Sequence, residues 1–474
     1  MTAPGRMPAL FSLAGICLAL WVLQQGIPLF IFPLVAMSGT LALVLLFTTQ
    51  EKPGYWKGVA LVVLVAGIGS AYISSRLSID FLYPGETFQG QGYILLERPW
   101  GRRRALLIRT KKGTLLAKIP SQHGFIAGDT VEVAGTMLSL PSSGKNRSFH
   151  EDRYWKARGA VAEIVIGKVE KIESCRQFSL SGWRNMLVKR ILLTQPPRTR
   201  GYLAAAWTGM KSPLLSSQHE RWGTSHLLAV SGFHVSLFVS GLLLLLRSCL
   251  GRGFIISCAM WGYVLIAGAA PSALRAALMM QIALIGRCRG RPSQAVNTVS
   301  LAGMALLFWR PWWFWDLGWQ LSMVAALIIA AALERGLSPV WWLSVGPAIW
   351  VTTLPLAAPI FGDVPLAGIV INLSAGPVFG VLYPLASFLA LPSLLALPWG
   401  NWASQGAEGL FILWETWADS ISRLIPVYVP WTPFWTAFAA GLLPLLIARS
   451  LRLSWRHSLA ASLLLQCVML WIVM

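Results

Sequence analysis

The sequence HLLAVSGFHVSLFVSGLLLLLR, residues 226–247, decides the fold class of this chain. A helix of about 20 apolar residues crosses the hydrocarbon core of a bilayer, and this stretch is long enough to do so. Its first half nevertheless contains His226, Ser231 and His234, which a plain membrane anchor does not need. Polar side chains at membrane depth are costly and usually face a bundle interior or a watery path. We therefore predict a functional transmembrane segment, in which Ser231 and Gly232 either admit a close helix contact or break the helix.

The composition extends this prediction to the whole chain. Of its 474 residues, 55% are hydrophobic and only 12% are charged, which is typical of a polytopic membrane protein and not of a soluble one. The net charge of +21 indicates an anionic partner, although basic cytoplasmic loops account for part of it in any membrane protein. The six cysteines have no metal-ligand spacing. We expect neither a metal site nor a cofactor.

Four regions follow one another along the chain. Residues 1–79 contain three apolar runs that predict N-terminal transmembrane helices, and residues 223–474 are predicted to form a larger transmembrane domain. Between them, residues 80–178 have five short apolar stretches separated by Gly, Pro and Asp, which predicts a small all-β domain. Residues 179–222 form an amphipathic connector, whose helix at 180–193 lies either on the membrane surface or against the β-domain.

The last region contains ten candidate membrane spans. They lie at residues 226–246, 253–270, 272–286, 294–309, 318–333, 339–360, 364–382, 384–398, 434–448 and 456–474. Residues 401–423 mix Trp and Leu with Glu and Asp, so we interpret them as an interfacial helix and not as a span. Gly268 and Pro271 predict a break between two spans, which membrane proteins tolerate where the backbone lines a cavity.

The charge of the connecting loops predicts the orientation. With the N-terminus inside, the cytoplasmic loops carry twelve Lys or Arg residues and two acids, whereas the opposite loops of the membrane part carry four Lys or Arg residues and six acids. By the positive-inside rule the N-terminus is cytoplasmic and the β-domain is extracytoplasmic. Long external domains escape that rule, yet residues 81–200 hold 21 Lys or Arg residues against nine acids. Their charge therefore requires another explanation.

Two basic clusters in the β-domain are candidate nucleic-acid contacts. The first is Arg98, Arg102, Arg103, Arg104, Arg109, Lys111 and Lys112, and the second is Lys145, Arg147, Arg153, Lys156 and Arg158. Aromatic residues, among them Trp100 and Tyr154, are interleaved with both clusters. Single-strand binding requires cations that follow phosphates beside aromatic rings that stack on bases. The alternative is a basic surface that contacts anionic lipid headgroups.

Polar residues inside the apolar runs are candidates for a wet path. Arg275 is a charge at membrane depth, so it either faces a polar cavity or a partner, or lies near the surface in a tilted helix. Asp316 and Gln320 are four residues apart on one predicted helix face, and Asp316 either caps that helix or pairs with Arg275. Five tryptophans nearby are more typical of an interfacial belt than of a base-stacking platform. They are Trp309, Trp312, Trp313, Trp315 and Trp319.

A hydrolytic site is the enzymatic alternative. Ser231 and His234 are three residues apart, within hydrogen-bond reach on one helix, and Asp316 is the candidate orienting acid. The sequence has no GxSxG elbow, no metal-spaced set of carboxylates and no phosphate-binding GxxxxGK[ST] motif. We therefore expect no enzymatic activity from these residues.

The run HLLAVSGFHVSLF, residues 226–238, resembles the signature of the ComEC family, the bacterial competence proteins that admit single-stranded DNA through the inner membrane. Residues 271–323 are similar to the channel region of that family, and residues 128–160 resemble the end of its extracytoplasmic OB-like domain. The resemblance implies a polytopic α-helical membrane protein with a small OB-like domain inserted after its third transmembrane helix. It also implies a DNA channel, and the candidate lining residues are His226, Ser231, His234, Arg275, Asp316 and Gln320.

The resemblance further implies a cellular setting in the bacterial inner membrane. The expected partners are single-stranded DNA, membrane lipids, an external DNA receptor, a separate nuclease and a cytosolic motor or strand-binding protein. Many members of the family continue into a C-terminal metallo-β-lactamase-like domain, whose HxHxDH pattern does not occur in this sequence, so we expect no nuclease activity. The competing interpretation is a transporter of small molecules or lipid-linked intermediates with a regulatory outer domain.

Overall fold

The chain divides into two compact units in the computed structural model. The structure describes residues 8–23, 31–47, 55–77, 84–120, 124–141, 149–175, 179–247, 251–290, 294–335 and 342–430. One unit, here the barrel unit, consists of Tyr72–Leu187 and Leu307–Asp316. The other, the helical unit, consists of Met1–Ala71, Val188–Leu306 and Leu317–Met474. A segment of ten residues from the second half of the chain therefore belongs with the barrel.

The three N-terminal apolar runs form helices, as predicted. They are α1 (Pro8–Leu23), α2 (Phe32–Phe47) and α3 (Tyr55–Leu77). Their polar side chains are satisfied within the bundle, since the Ser12 hydroxyl of α1 donates to the carbonyl of Val62 in α3 at 3.0 Å. These short apolar helices pack on one another through continuous hydrophobic faces.

Five strands form a closed barrel in the region where the sequence predicts an all-β domain. They are β1 (Thr87–Trp100), β2 (Arg103–Thr110), β3 (Gly113–Pro120), β4 (Thr130–Leu138) and β5 (Ala160–Glu173). Alternating residues such as Leu106, Val131 and Ile164 point inward and form one hydrophobic core. The prediction of five strands is thus confirmed, although β1 and β5, with 14 residues each, are longer than the predicted stretches.

The barrel closes through pairings between strands that are distant in sequence. Its order is β1-β2-β3-β5-β4, in which β3 and β5 are parallel and β4 and β5 are antiparallel. The register of the β4–β5 pair shifts at Gly135, where an added Cβ would lie 2.2 Å from the carbonyl oxygen of Val165. Between β4 and β5 the short helix α4 (Glu151–Ala157) contributes the buried Trp155 to a second hydrophobic cluster.

The predicted amphipathic helix of the connector is α5 (Leu180–Thr194). Its first half packs within the barrel unit, where the Asn185 side chain donates to the carbonyl of Ala127 at 3.0 Å. Leu180, Trp183 and Met186 remain exposed along one side. Packing against the β-domain, one of the two predicted roles, is therefore observed, whereas a membrane contact of the exposed side stays a prediction.

From Pro197 onward the described residues are mainly helical. The helices are α6 (Pro197–Thr208), α7 (Pro213–Arg221), α8 (Gly232–Leu245), α9 (Arg252–Ile266), α10 (Pro271–Cys288), α11 (Ala295–Trp309), α12 (Leu317–Arg335), α13 (Val345–Phe361), α14 (Ala367–Leu394) and α15 (Gly400–Leu424). Two 3₁₀ helices, Ser225–Leu228 and Pro311–Trp315, precede α8 and α12. The strands β6 (Val364–Pro365) and β7 (Tyr428–Val429) form a small antiparallel pair.

Three of the described helices are long and apolar enough to cross a membrane. They are the segments Trp56–Leu77, Leu317–Glu334 and Ala367–Leu394. Shorter apolar helices of 10–17 residues account for several other predicted spans. The predicted break between spans at 253–270 and 272–286 is confirmed, because α9 ends at Ile266 and α10 begins at Pro271. The candidate spans at 434–448 and 456–474 lie outside the described residues.

The predicted separation of residues 364–382 from residues 384–398 is wrong, because one helix, α14, runs through both. Pro384, at the predicted break, lies on the exposed side of α14. Phe379 and Tyr383 on the opposite side are buried against α15 and its neighbours. Tertiary packing of that face maintains the helix although each proline removes a backbone hydrogen bond.

Residues 226–246, predicted as one span, are also not one helix. The 3₁₀ turn Ser225–Leu228 ends before an extended residue at Ser231, and α8 begins at Gly232. Both of the roles considered for Ser231 and Gly232 are observed. Ser231 breaks the helix and caps α8, while Gly232 faces α10, where an added Cβ would lie 3.4 Å from Ala276.

Candidate functional site

Strand β2 separates the first basic cluster of the barrel into two groups, one at each end of the strand. Arg102 and Arg103 lie at the β1–β2 turn, and Lys111 and Lys112 lie at the β2–β3 turn. Because β2 has eight residues, the two turns are roughly 23 Å apart at about 3.3 Å per residue. Cations that are close in sequence therefore form two separate basic edges.

Each edge has an acidic partner. Arg104 pairs with Glu97 at 2.9 Å, and Lys112 pairs with Glu86 at 3.1 Å. The Lys112–Glu86 pair is exposed and contributes only about 0–1 kcal/mol, so a phosphate can replace that carboxylate at little cost, whereas the Arg104–Glu97 pair is half-buried. Arg103 and Lys111 are themselves exposed. Both edges are accessible to an anionic ligand.

The second basic cluster lies on and after α4, where cations and aromatic rings interleave. Lys145 and Arg147 lie outside the described residues. The guanidinium carbons of Arg98 and Arg158 lie 5.8 Å and 3.5 Å from the ring centroid of Tyr154. Trp155 is fully buried, so it belongs to the core and is not a platform for bases.

A tryptophan-rich segment packs against this cluster within the barrel unit. Lys156 lies 4.5 Å from the ring centroid of Trp312, and Arg153 lies 5.7 Å from that of Trp315. At the end of the segment, the Arg158 guanidinium donates to the Asp316 carboxylate at 3.2 Å.

Burial lowers the pKa of the Arg158 guanidinium, and Arg98 lowers it further, whereas Tyr154 and Asp316 act in the opposite direction. Asp316 thus satisfies a half-buried cation of the barrel, a role that the sequence did not predict. Trp312 and Trp315 are likewise partners of barrel cations, while an interfacial belt of tryptophans stays a prediction. Because the partners are about 150 residues apart and no local pattern connects them, the sequence contains no signal for these contacts.

In the helical unit, Ser231 and His234 form a capping box at the start of α8. The Ser231 hydroxyl lies 3.0 Å from Nδ1 of His234, and the Ser231 backbone N–H donates to the same nitrogen. A backbone N–H can only donate, so Nδ1 is an acceptor and the proton of the neutral ring is on Nε2. Nε2 is buried and has no hydrogen-bond partner among the described residues, while Tyr383 packs against the ring at 4.7 Å.

His226, the other histidine of the stretch, is exposed in its 3₁₀ turn. The predicted span at residues 226–246 would place both histidines on one helix. This is wrong, because α8 begins at Gly232, after the 3₁₀ turn that contains His226. The pairing of Ser231 with His234 within hydrogen-bond reach is as predicted, and helix capping accounts for its geometry.

Arg275 is fully buried, which contradicts the alternative in which it reaches the membrane surface. Its Nε donates to the Ser322 hydroxyl at 3.0 Å and its Nη2 donates to the carbonyl of Gly318 at 2.8 Å. Both partners are on α12. Gln320, which lies between them in the sequence, is half-buried. One turn earlier, the Ser272 hydroxyl donates to the carbonyl of Val230. These polar contacts link α10 both to α12 and to the break before α8.

Three acids of α15 were interpreted from the sequence as part of an interfacial helix, yet they hold the helical unit together. Glu408 accepts hydrogen bonds from the backbone N–H groups of Arg198 and Thr199 at the start of α6. Glu415 accepts from Nε of Arg198 at 2.6 Å, and Asp419 accepts from the Trp222 indole at 2.9 Å. Hydrogen bonds are stronger inside a protein than in water, and a buried acid that loses its partner is costly. These acids are therefore structural partners and not loop charges.

No group of three or more His, Cys, Asp or Glu side chains among the described residues has the arrangement of a metal site.

The chain shows sequence similarity to proteins of bacterial competence. A family model described as "Competence protein" matches residues 208–454, just over half of the chain. The chain is 28% identical over 173 residues to ComE operon protein 3 of Bacillus subtilis (strain 168), and the alignment covers 34% of this chain and 21% of the relative. It thus spans about a fifth of the length of the curated relative that it matches. No solved structure matches the chain.

Proposed function

The chain belongs to the competence protein family, and from this premise we propose that it conducts single-stranded DNA through the inner membrane of a bacterium during natural transformation. The family match over residues 208–454 is the observation that carries the proposal. Three apolar helices of membrane length among the described residues support a location in the membrane. The charge of the loops supports a cytoplasmic N-terminus and an extracytoplasmic barrel.

The barrel unit is proposed to gather the strand. Its two exposed basic edges, at Arg102–Arg104 and at Lys111 and Lys112, suit the phosphates of an extended polyanion. The closed order β1-β2-β3-β5-β4 supports an OB-like classification, a fold that binds oligonucleotides in other proteins. The exposed Lys112–Glu86 pair exchanges readily with a mobile strand because it is weak.

The helical unit is proposed to provide the passage. Arg275 offers a guanidinium among apolar helices, and guanidinium groups bind phosphate oxygens through several parallel hydrogen bonds. Its contacts with α12 hold it in place, and His234 adds a buried N–H donor without a partner among the described residues. A few such donors lining an otherwise apolar path would favour entry of a polyanion without binding it too tightly to move on.

We further propose that the chain catalyses no reaction itself. A separate nuclease would remove the other strand, an external receptor would deliver the duplex, and a cytosolic motor or strand-binding protein would draw the strand inward. The geometry of Ser231 and His234 supports this division, because the serine hydroxyl caps a helix.

A deletion strain tests the proposal. Cells that lack this gene should lose transformation by several orders of magnitude, while labelled duplex DNA continues to accumulate outside the cytoplasm. Expression of the wild-type chain from a plasmid should restore transformation and is the control. Normal transformation in the deletion strain would refute the proposal, and impaired uptake of a small solute or lipid precursor would favour the transporter interpretation.

A further inference from the structure

The 3₁₀ segment Pro311–Trp315 has two different sides. A 3₁₀ helix has three residues per turn, so residues 312 and 315 eclipse each other on one side. These two indoles are half-buried, and their ring centroids are 5.2 Å apart. Pro311 and Trp313, in contrast, are buried. Trp313 thus anchors the segment, while Trp312 and Trp315 present a pair of adjacent rings to the cations of α4.

The cation–π contacts and the ion pair on that presenting side are ones that a nucleic-acid strand also makes. Lys156 and Arg153 lie over the indoles, as cationic side chains lie over bases. Arg158 donates to a carboxylate oxygen of Asp316, and a phosphate oxygen accepts from a guanidinium in the same geometry. The indoles of Trp312 and Trp315 thus correspond to two stacked bases, and the Asp316 carboxylate corresponds to a phosphate.

The interface on this side depends on charge and ring contacts rather than on apolar burial. Arg153, Lys156 and Arg158 all remain partly exposed to solvent. The Arg158–Asp316 pair is largely buried, so a strand replaces it only by supplying a phosphate oxygen to the guanidinium in place of the carboxylate. The cation–π contacts of the half-buried Arg153 and Lys156 exchange more readily with competing groups. A polyanion can therefore replace these contacts one for one, while Trp313 keeps the segment attached.

We propose that Trp312, Trp315 and Asp316 are an internal competitor that occupies the α4 side of the barrel and is displaced when a single strand binds there. The inference rests on the proposed function and specifies the regulation of the same site. In the unoccupied protein the basic edges at the β-turns are open, whereas Arg153, Lys156 and Arg158 are covered. The strand then gains the α4 contacts only by displacing the segment, which lowers the affinity of the barrel for short or weakly held strands.

Fluorescence anisotropy with the full chain in nanodiscs and a labelled oligothymidylate tests the competition. Asp316→Asn should bind the oligonucleotide about five- to tenfold more tightly than wild type. The slope of log K against log salt should steepen by about 0.7, the value for one additional phosphate contact in a single strand.

Glu170→Gln is the matched control, because Glu170 also pairs with a barrel cation, Lys168 at 2.8 Å, and its removal changes the net charge equally. If the segment competes with the strand, Asp316→Asn must increase oligonucleotide affinity more than Glu170→Gln does. Equal or weaker binding by Asp316→Asn, with intact binding by wild type, would overturn the inference and leave the proposed function standing.

A second variant guards against a folding defect of the first. Trp312→Leu removes the ring over Lys156 and should also tighten binding, whereas a purely structural segment predicts unchanged or weaker binding. If neither wild type nor any variant binds the oligonucleotide, the proposed function of the barrel fails, and the competition fails with it.

Discussion

The basic edges of the barrel unit and the polar contacts inside the helical unit hold their charges in opposite ways. In the barrel, cations such as Arg103 and Lys111 are exposed at strand turns. In the helical unit, Glu408, Glu415 and Arg275 are buried and hydrogen-bonded to neighbouring helices. The exposed charges at the β-turns are available to an external polyanion, whereas these buried charges first hold helices together. Residue type alone therefore does not locate a binding site.

The largest effect should come from a residue of the second basic cluster that belongs to the core. Trp155→Ala should destabilise the barrel by about 3–5 kcal/mol, because a fully buried indole leaves a cavity. The temperature at which Cys175, the cysteine of the barrel unit, becomes reactive to a thiol reagent measures this loss. A variant that keeps its stability and loses only oligonucleotide binding would show that Trp155 stacks on bases.

A buried acid of the helical unit should have the next largest effect. Glu408→Ala should cost about 2–3 kcal/mol, since it leaves backbone donors at the start of α6 without their acceptor. Heat-induced aggregation in detergent measures the loss, and Glu220→Ala, at an exposed position on α7, is the control. Because Glu408 is a structural partner, the folded fraction of Glu408→Ala should bind the oligonucleotide with unchanged affinity. A selective loss of affinity would place Glu408 in a functional role.

Removing one basic edge of the barrel should weaken binding and leave the fold intact. Replacement of Arg102, Arg103 and Arg104 by Ser should lower oligonucleotide affinity about ten- to a hundredfold and reduce the salt slope by about two. Lys168→Ser, at an exposed position of β5, should have a much smaller effect. An equal loss of affinity per charge removed in the two variants would mean that net charge, and not the β1–β2 edge, governs binding.

The smallest effects are expected at His234, where two substitutions distinguish a role in capping α8 from a role in DNA conduction. Glutamine at the third position of a helix preserves a capping box, so His234→Gln should keep stability and remove only the Nε2 donor. His234→Ala should lose about 0.5–1 kcal/mol in addition. We expect a few-fold loss of transformation frequency with both variants. Wild-type transformation by His234→Gln would show that the histidine only caps α8.

The strands of the barrel were predictable because their signal is local. Alternating apolar residues, as in β4 with Val131 and Val133 inward, indicate a strand without knowledge of its neighbours. The parallel β3–β5 pairing and the contact of Asp316 with Arg158 were not predictable, since they join distant parts of the chain. The single helix α14 was missed for the same reason, because the packing of Phe379 and Tyr383 outweighs the local effect of Pro384.

The candidate site was predictable in its residue types and less so in its arrangement. A buried partner for Arg275 was expected from the cost of a charge at membrane depth, and the structure provides Ser322 and Gly318. Asp316 was expected near the same helix, and it lies directly before α12, where Arg158 of the barrel unit binds it. A single residue, Leu317, lies between Asp316, which Arg158 binds, and Gly318, whose carbonyl Arg275 binds.

The most direct test of the account compares Arg275→Ala with Arg275→Lys in transforming cells, at equal amounts of protein in the membrane. The account predicts that Arg275→Ala lowers transformation at least tenfold while oligonucleotide binding by the purified full chain is unchanged, and that Arg275→Lys recovers part of the uptake. Normal transformation by Arg275→Ala, at wild-type protein levels, would contradict a passage through the helical unit that uses this guanidinium.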